Sequence, residues 1–168
     1  MSRRSWSFAL LSLLLTCAVP LFAQSTYDWS MVGSAGVVDP TSASYSFAGP
    51  ALKFATGVTG TIKARYPVTN TYGSNADVTP PWQYLILSYS NNSALGSVTA
   101  RLMRVSHCSG DEEQMCQVSV SSSGSGCTHC LFNPGELDFS DNSYYVEVTL
   151  TRSSTSATPQ VNTVAVGN

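Results

Sequence analysis

Ser143-Tyr144-Tyr145-Val146-Glu147-Val148-Thr149-Leu150-Thr151-Arg152 is the stretch that decides the fold. Tyr144, Val146, Val148 and Leu150 share one parity, and Tyr145, Glu147, Thr149 and Thr151 share the other. A strand turns successive side chains to opposite faces, so the first set predicts a core face and the second a solvent face. A helix would scatter both sets around its circumference.

The same period recurs on either side of this stretch. Trp82 to Ser90 interleaves Leu85, Leu87 and Tyr89 with Tyr84 and Ile86, and Ser97 to Ser106 alternates Val98, Ala100 and Leu102 with Thr99, Arg101 and Met103. Further strands are expected at Ala51 to Ala55, Gly60 to Val68, Gln114 to Val120, Thr128 to Phe132 and Gln160 to Val166. Tyr27 to Val32 and Ser44 to Phe47 are shorter, aromatic-rich candidates. Turn-forming clusters separate them: Val38-Asp39-Pro40, Gly73-Ser74-Asn75, Pro80-Pro81, Asn91-Asn92-Ser93, Ser109-Gly110-Asp111 and Asn133-Pro134-Gly135. The tract from Ser121 to Gly126 reads as a flexible hairpin loop. Many short strands between turns predict an all-β domain, a single antiparallel sandwich of jelly-roll or immunoglobulin-like topology.

Residues 1–23 have the layout of a secretory signal peptide. Arg3 and Arg4 open it, an apolar run from Phe8 to Val19 follows, and Ala23 precedes the expected cleavage before Gln24. Twin-arginine export and lipidation at Cys17 are weaker alternatives, because the core is leucine-rich and Thr16 is a poor lipobox residue. The expected product is residues 24–168, one soluble domain, secreted or periplasmic. It is poor in charge, at 11% for the whole chain, and its few basic residues are scattered. That excludes the clustered phosphate neutralisation that nucleic-acid binding needs, so no nucleic-acid partner is expected.

Cys108, Cys116, Cys127 and Cys130 remain after cleavage, and in an exported chain they predict disulfides. The favoured pairing is local, Cys108 with Cys116 and Cys127 with Cys130; the competing one joins Cys116 to Cys127 and Cys108 to Cys130. Cys127-Thr128-His129-Cys130 also has the form of a redox dithiol, but it enters a strand instead of opening a helix. With His107 and His129, the four cysteines form a weaker zinc alternative, set back by the wide gap between Cys108 and Cys116.

Catalytic signals are few. The chain has no Gly-x-Ser-x-Gly elbow and no phosphate-cradling glycine loop, and no cofactor is expected. Asp111, Glu112 and Glu113 read as a solvated hairpin tip. Glu136, Asp138 and Glu147 are the carboxylates a glycosidase would have to pair. Asp138, Asp141 and Asn142 form a candidate calcium position that turn formation explains equally well. The aromatic residues Tyr27, Trp29, Tyr66, Tyr72, Trp82, Tyr84, Tyr89, Tyr144 and Tyr145 are the better lead, since such rings stack on sugars and anchor interfaces. Trp82, directly after Pro80-Pro81, is expected at an exposed rim, and Tyr145 on the outer face of its strand. These two are the candidate ligand contacts.

Ala64-Arg65-Tyr66-Pro67-Val68-Thr69, Pro80-Pro81-Trp82, Val98-Thr99-Ala100-Arg101-Leu102-Met103-Arg104-Val105 and Tyr144 to Arg152 together resemble an uncharacterised family of small exported bacterial proteins. The resemblance covers most of residues 24–168 and implies a bacterial source and a β-sandwich; it implies no activity. The expectation is a secreted, non-catalytic binding or adhesion module for glycans or another cell-surface component. The alternative is a structural protein that assembles through strand edges, and a secreted hydrolase ranks below both.

Overall fold

The computed structural model describes residues 29–71 and 79–168. The signal peptide with Cys17, the turn at Gly73-Ser74-Asn75, and Tyr27 and Tyr72 lie outside those residues. Among the described residues the strands are β1 (Trp29–Val32), β2 (Val37–Val38), β3 (Tyr45–Ala48), β4 (Ala51–Phe54), β5 (Gly60–Val68), β6 (Tyr84–Asn91), β7 (Gly96–Ser106), β8 (Glu112–Val120), β9 (Gly124–Leu131), β10 (Asn142–Arg152) and β11 (Gln160–Gly167). No helix among them is long and apolar enough to cross a membrane.

The strands form two antiparallel sheets. One has the order β3-β4-β11-β6-β9, with β1 also pairing β11, and the other has β2-β5-β10-β7-β8. From β4 onward the chain alternates between sheets except at the β7–β8 hairpin. The resulting inner orders, β4-β11-β6-β9 and β5-β10-β7-β8, are those of a jelly roll. This resolves the choice left open by the sequence.

The core lies between the sheets. Leu52, Leu85, Leu87, Val164 and Val166 from the six-stranded sheet meet Ile62, Tyr66, Leu102, Val146 and Leu150 from the five-stranded sheet. β10 fits its expected pattern closely, with Tyr144, Val146, Val148 and Leu150 buried and Tyr145, Glu147 and Thr149 on the other side. Gly33 forms part of a one-turn 3-10 helix after β1. A Cβ there would collide with the carbonyl of Val161, so only glycine lets the two backbones approach.

Three expectations need correction. Gly124 to Gly126, read as loop, open β9, because each residue pairs with β6 from Asn91 to Tyr89. Glu112 and Glu113, read as hairpin tip, begin β8 and pair with Val105 and Arg104. The disulfide joins Cys116 to Cys130, a pairing that neither expected scheme contains, with its Cα atoms 6.0 Å apart. Cys108 and Cys127 are free and exposed. The reason is parity: within β9, Cys127 and Cys130 are three residues apart and face opposite ways. Cys130 pairs with core-facing Leu85 and reaches across the sandwich to Cys116, whose own partner is core-facing Leu102.

Candidate functional site

The outer face of the five-stranded sheet is built around β10. Glu147 sits opposite Arg65 of β5 on one side and Arg101 of β7 on the other. Its carboxylate oxygens lie 3.5 Å from Arg65 Nε and 3.6 Å from Arg101 Nη1. Arg101 Nε donates onward to Gln117 Oε1 of β8 at 2.7 Å. The result is a polar belt, Arg65–Glu147–Arg101–Gln117, across four adjacent strands and about 14 Å wide at ordinary strand spacing.

Burial differs within the belt in a way that matters chemically. The Glu147 side chain is 11% exposed, while Arg65 and Arg101 are 56% and 40% exposed. A guanidinium carries five N–H donors, and most of those on Arg65 and Arg101 are left facing solvent. Glu147 therefore acts as the fixed post that holds two forks outward, and Arg is well suited to that task because its fork is planar and rigid.

Tyr145 occupies the next row, between Pro67 and Met103. The Arg65 guanidinium lies 5.4 Å from its ring centroid, within cation–π range. Burial, with Glu112 adding to it, pushes the Tyr145 phenol above its usual range, so it is a neutral donor and acceptor at physiological pH. Beyond the belt on the other side, Thr149 sits between Lys63 and Thr99, and Thr99 shares a 2.9 Å hydroxyl hydrogen bond with Ser119. A phenol ring, two anchored guanidinium groups, an amide and a row of hydroxyls thus share one flat face. Donors and acceptors around an aromatic plane match a polyhydroxylated ligand.

The other sequence candidates fall elsewhere. Trp82 is fully buried, against the expectation of a rim position. Regular alternation starts only at Tyr84, and the preceding backbone is tied in by Gln83 N–H to the Gly167 carbonyl and by Phe132 N–H to the Gln83 carbonyl. The indole consequently turns inward, edge-on to Phe139 at 6.2 Å, and Phe139 in turn packs on Tyr144 at 4.8 Å.

The Asp138 to Asn142 segment is a self-closed turn. Asp138 Oδ1 accepts from the Ser140 N–H at 2.9 Å and from its hydroxyl at 2.6 Å, and these bonds hold the carboxyl below its usual range. Asn142 Nδ2 donates to the Asp138 carbonyl, and the Asp141 carbonyl accepts from His107 N–H. Turn closure uses these oxygens, and the geometry gives the calcium expectation no support. Among the described residues no group of three or more His, Cys, Asp or Glu side chains converges on a point, so the cysteine–histidine zinc set is not assembled. The glycosidase carboxylates are also kept to separate tasks. Glu136 accepts the Asn133 N–H, Asp138 closes its own turn, and Glu147 lies between two arginines.

A cleft of about 700 Å³ lies at the rim beside β4 and is lined by Ser46, Lys53, Phe54, Thr56 and Arg152 among others. Its arginine is already engaged. Arg152 donates to the carbonyls of Ser154, Ala55 and Thr155 and lies 5.8 Å from the Phe54 ring centroid, which makes it a clamp for the 153–159 loop. The sheet face has the richer set of free groups.

No protein-family model matches the chain, and no curated protein matches it. Solved structures do. TmCBM61, in complex with beta-1,4-galactotriose, aligns over 80% of this chain and 89% of its own at 11% identity, with a TM-score of 0.50. The CBM36-1 domain of a multidomain xylanase from the hindgut metagenome of Trinervitermes trinervoides aligns over 83% and 96% at 11% identity, with a TM-score of 0.49. The C-terminal CBM6 of a marine laminarinase from Zobellia galactanivorans aligns over 83% and 98% at 9% identity, with a TM-score of 0.48. The likeness to TmCBM61 is one of fold: both chains are β-sandwiches.

Proposed function

We propose that this protein is a non-catalytic glycan-binding module that holds an extended, neutral sugar chain on the outer face of its five-stranded sheet. The observation that carries the proposal is the belt Arg65–Glu147–Arg101–Gln117 running beside the Tyr145 ring. In this reading Tyr145 stacks on a pyranose face, Arg65 and Arg101 donate to ring hydroxyls, and Gln117 supplies a second donor and acceptor. Two further observations support it: the fold shared with TmCBM61, a protein in complex with a galactotriose, and the separation of the carboxylates that hydrolysis would have to pair. Export from a bacterial cell through residues 1–23 belongs to the same proposal. It is supported by the Cys116–Cys130 disulfide, a bond that persists in oxidising compartments.

The test is a glycan and polysaccharide array followed by titration calorimetry on the best binder, with Tyr145→Ala beside the wild type. Tyr145 is partly buried but off the core, so its truncation should change the melting temperature little while weakening binding about tenfold, or about 1.4 kcal/mol. Undiminished binding by Tyr145→Ala would move the site off this face, and silence across the array would defeat the glycan reading itself.

A further inference from the structure

Five strands border the two sheets or stop short beside them, and four are poor templates for pairing. β2 has two residues, and β1 and β3 have four each. β8 is longer, but it begins with Glu112 and Glu113 and its register with β7 is broken between Leu102 and Met103. Short length, charge and irregularity are the ordinary protections of a sheet edge. β9 is neither short nor charged, and the positive φ of Gly124 and Gly126 leaves its register intact. It runs eight residues, Gly124-Ser125-Gly126-Cys127-Thr128-His129-Cys130-Leu131, in unbroken register with β6. It holds no Asp, Glu, Lys, Arg or Pro, and among the described residues no strand pairs with its far side.

Its side chains extend the opening. Ser125, Cys127, His129 and Leu131 point to the outer face and are exposed, with Leu131 at 59%. The neighbouring strands of the sheet are also free of charge, apart from Lys53 on β4.

We propose that β9 pairs with β9 of a second copy of this chain, antiparallel about a two-fold axis, so that one sheet runs through both molecules. Such an edge is self-complementary, because the backbone donors and acceptors of one copy meet the acceptors and donors of the other. A second copy fits better than a charged partner, since the uncharged strand repels nothing of its own kind and offers no opposite charge to seek. Cys127 lies at the middle of the strand and pairs with outward-facing Ser88, so under the two-fold it faces its counterpart on the same side of the joined sheet.

The same thiol gives the pairing a covalent lock. Cys108 is no alternative partner for Cys127 within one chain. From the Cys116–Cys130 bridge, Cys127 lies three residues toward the β8–β9 loop, while Cys108 lies beyond the start of β8 in the other direction. That separation exceeds about 20 Å at strand rise, against the ~7 Å that a disulfide tolerates. In the dimer, a disulfide oxidant such as glutathione disulfide takes two electrons and two protons from the two Cys127 thiols. The intermolecular S–S bond forms as the oxidant becomes two glutathione thiols.

The experiment is light-scattering mass against concentration, with and without glutathione disulfide, on wild type, Cys127→Ser, Cys108→Ser and Ser125→Lys. The expected result is a dimer that oxidation locks, reversibly by dithiothreitol, in wild type and Cys108→Ser. Cys127→Ser should still dimerise without the covalent link. Ser125→Lys, exposed and outside the core, should melt like wild type and dimerise at least about tenfold more weakly. Monomers throughout, a covalent dimer that needs Cys108, or a Ser125→Lys dimer of full strength would each overturn the proposal.

Discussion

The strands of the five-stranded sheet carry Lys63, Arg65, Arg101, Arg104, Glu112, Glu113, Glu147 and Arg152, whereas those of the six-stranded sheet carry Lys53 alone. Both sheets send alternate apolar residues into one shared core, so the interior gives no hint of this asymmetry. The difference lies in residues that packing leaves free to vary. A core position is restricted by volume and polarity, but an outward strand position is restricted only by what meets it. An anchored charged belt suits a solvated ligand, and an uncharged, unbroken edge suits another strand. Under the two proposals the exteriors separate recognition from association, with the one core supporting both.

The comparison breaks most completely if the shared core is damaged. Trp82 is among the largest fully buried side chains, and Trp82→Ala should cost about 3–5 kcal/mol in urea unfolding. Glycan binding and β9 pairing should then fall together, because both exteriors rest on the same packing. Trp82→Phe should cost well under half as much. It keeps a ring against Phe139, and the indole N–H it removes has no hydrogen-bond partner among the described residues. A Trp82→Ala variant of undiminished stability that lost only binding would show the residue to be a ligand contact after all.

A smaller and more local effect should follow loss of the Cys116–Cys130 bridge, which ties edge strand β8 of one sheet to edge strand β9 of the other across 14 residues of chain. The paired substitution Cys116→Ala with Cys130→Ala should lower stability by about 2–4 kcal/mol. Hydrogen exchange should speed up in β8 and β9 while the interior strands β5 and β10 stay protected. Uniform loosening of all strands would mean that the bridge supports the whole sandwich and not only that side.

Most of the fold was legible because period-two alternation depends on nothing distant. β5 runs from Gly60 to Val68 as its pattern predicts, and β7, β10 and β11 differ by a residue at their ends. What failed depended on context. The rim position expected of Trp82 fails because the alternation of β6 does not reach back past Tyr84. The start of β9 is not legible because Ser and Gly are weak strand formers, and pairing with β6 makes Gly124 to Gly126 a strand. The disulfide carried a usable signal, since placing Cys130 on a strand already sends it and Cys127 to opposite faces. Tyr145 was placed on its outer face by sequence alone. That Arg65, Arg101 and Gln117 meet beside it is not legible, because cross-strand register between residues this far apart in the chain is set by the folded sheets.

The mildest way to loosen the two sheets from each other is to remove one hydrogen bond between them. Tyr66, on β5 of the five-stranded sheet, donates its buried hydroxyl to the Gly33 carbonyl next to β1 of the six-stranded sheet, at 2.7 Å. Burial holds this phenol well above its ordinary value, so the folded protein keeps it neutral where the unfolded chain would ionise. A folded-state pKa raised in this way contributes stability that is complete below about pH 10, where the unfolded tyrosine begins to titrate, and is lost as pH climbs from there toward the folded value. Tyr66→Phe should therefore cost about 1 kcal/mol at neutral pH, where it leaves the Gly33 carbonyl without its donor. Above pH 10 the wild type should lose stability faster than the variant, so that the gap between them closes. Tyr144 and Tyr145, also pushed up by burial, leave the variant some alkaline sensitivity of its own. Urea midpoints for the two proteins from pH 7 to about pH 11 read this directly. A gap that stays constant would show that the Tyr66 hydroxyl is open to water, and with it that the two sheets part at this point without unfolding.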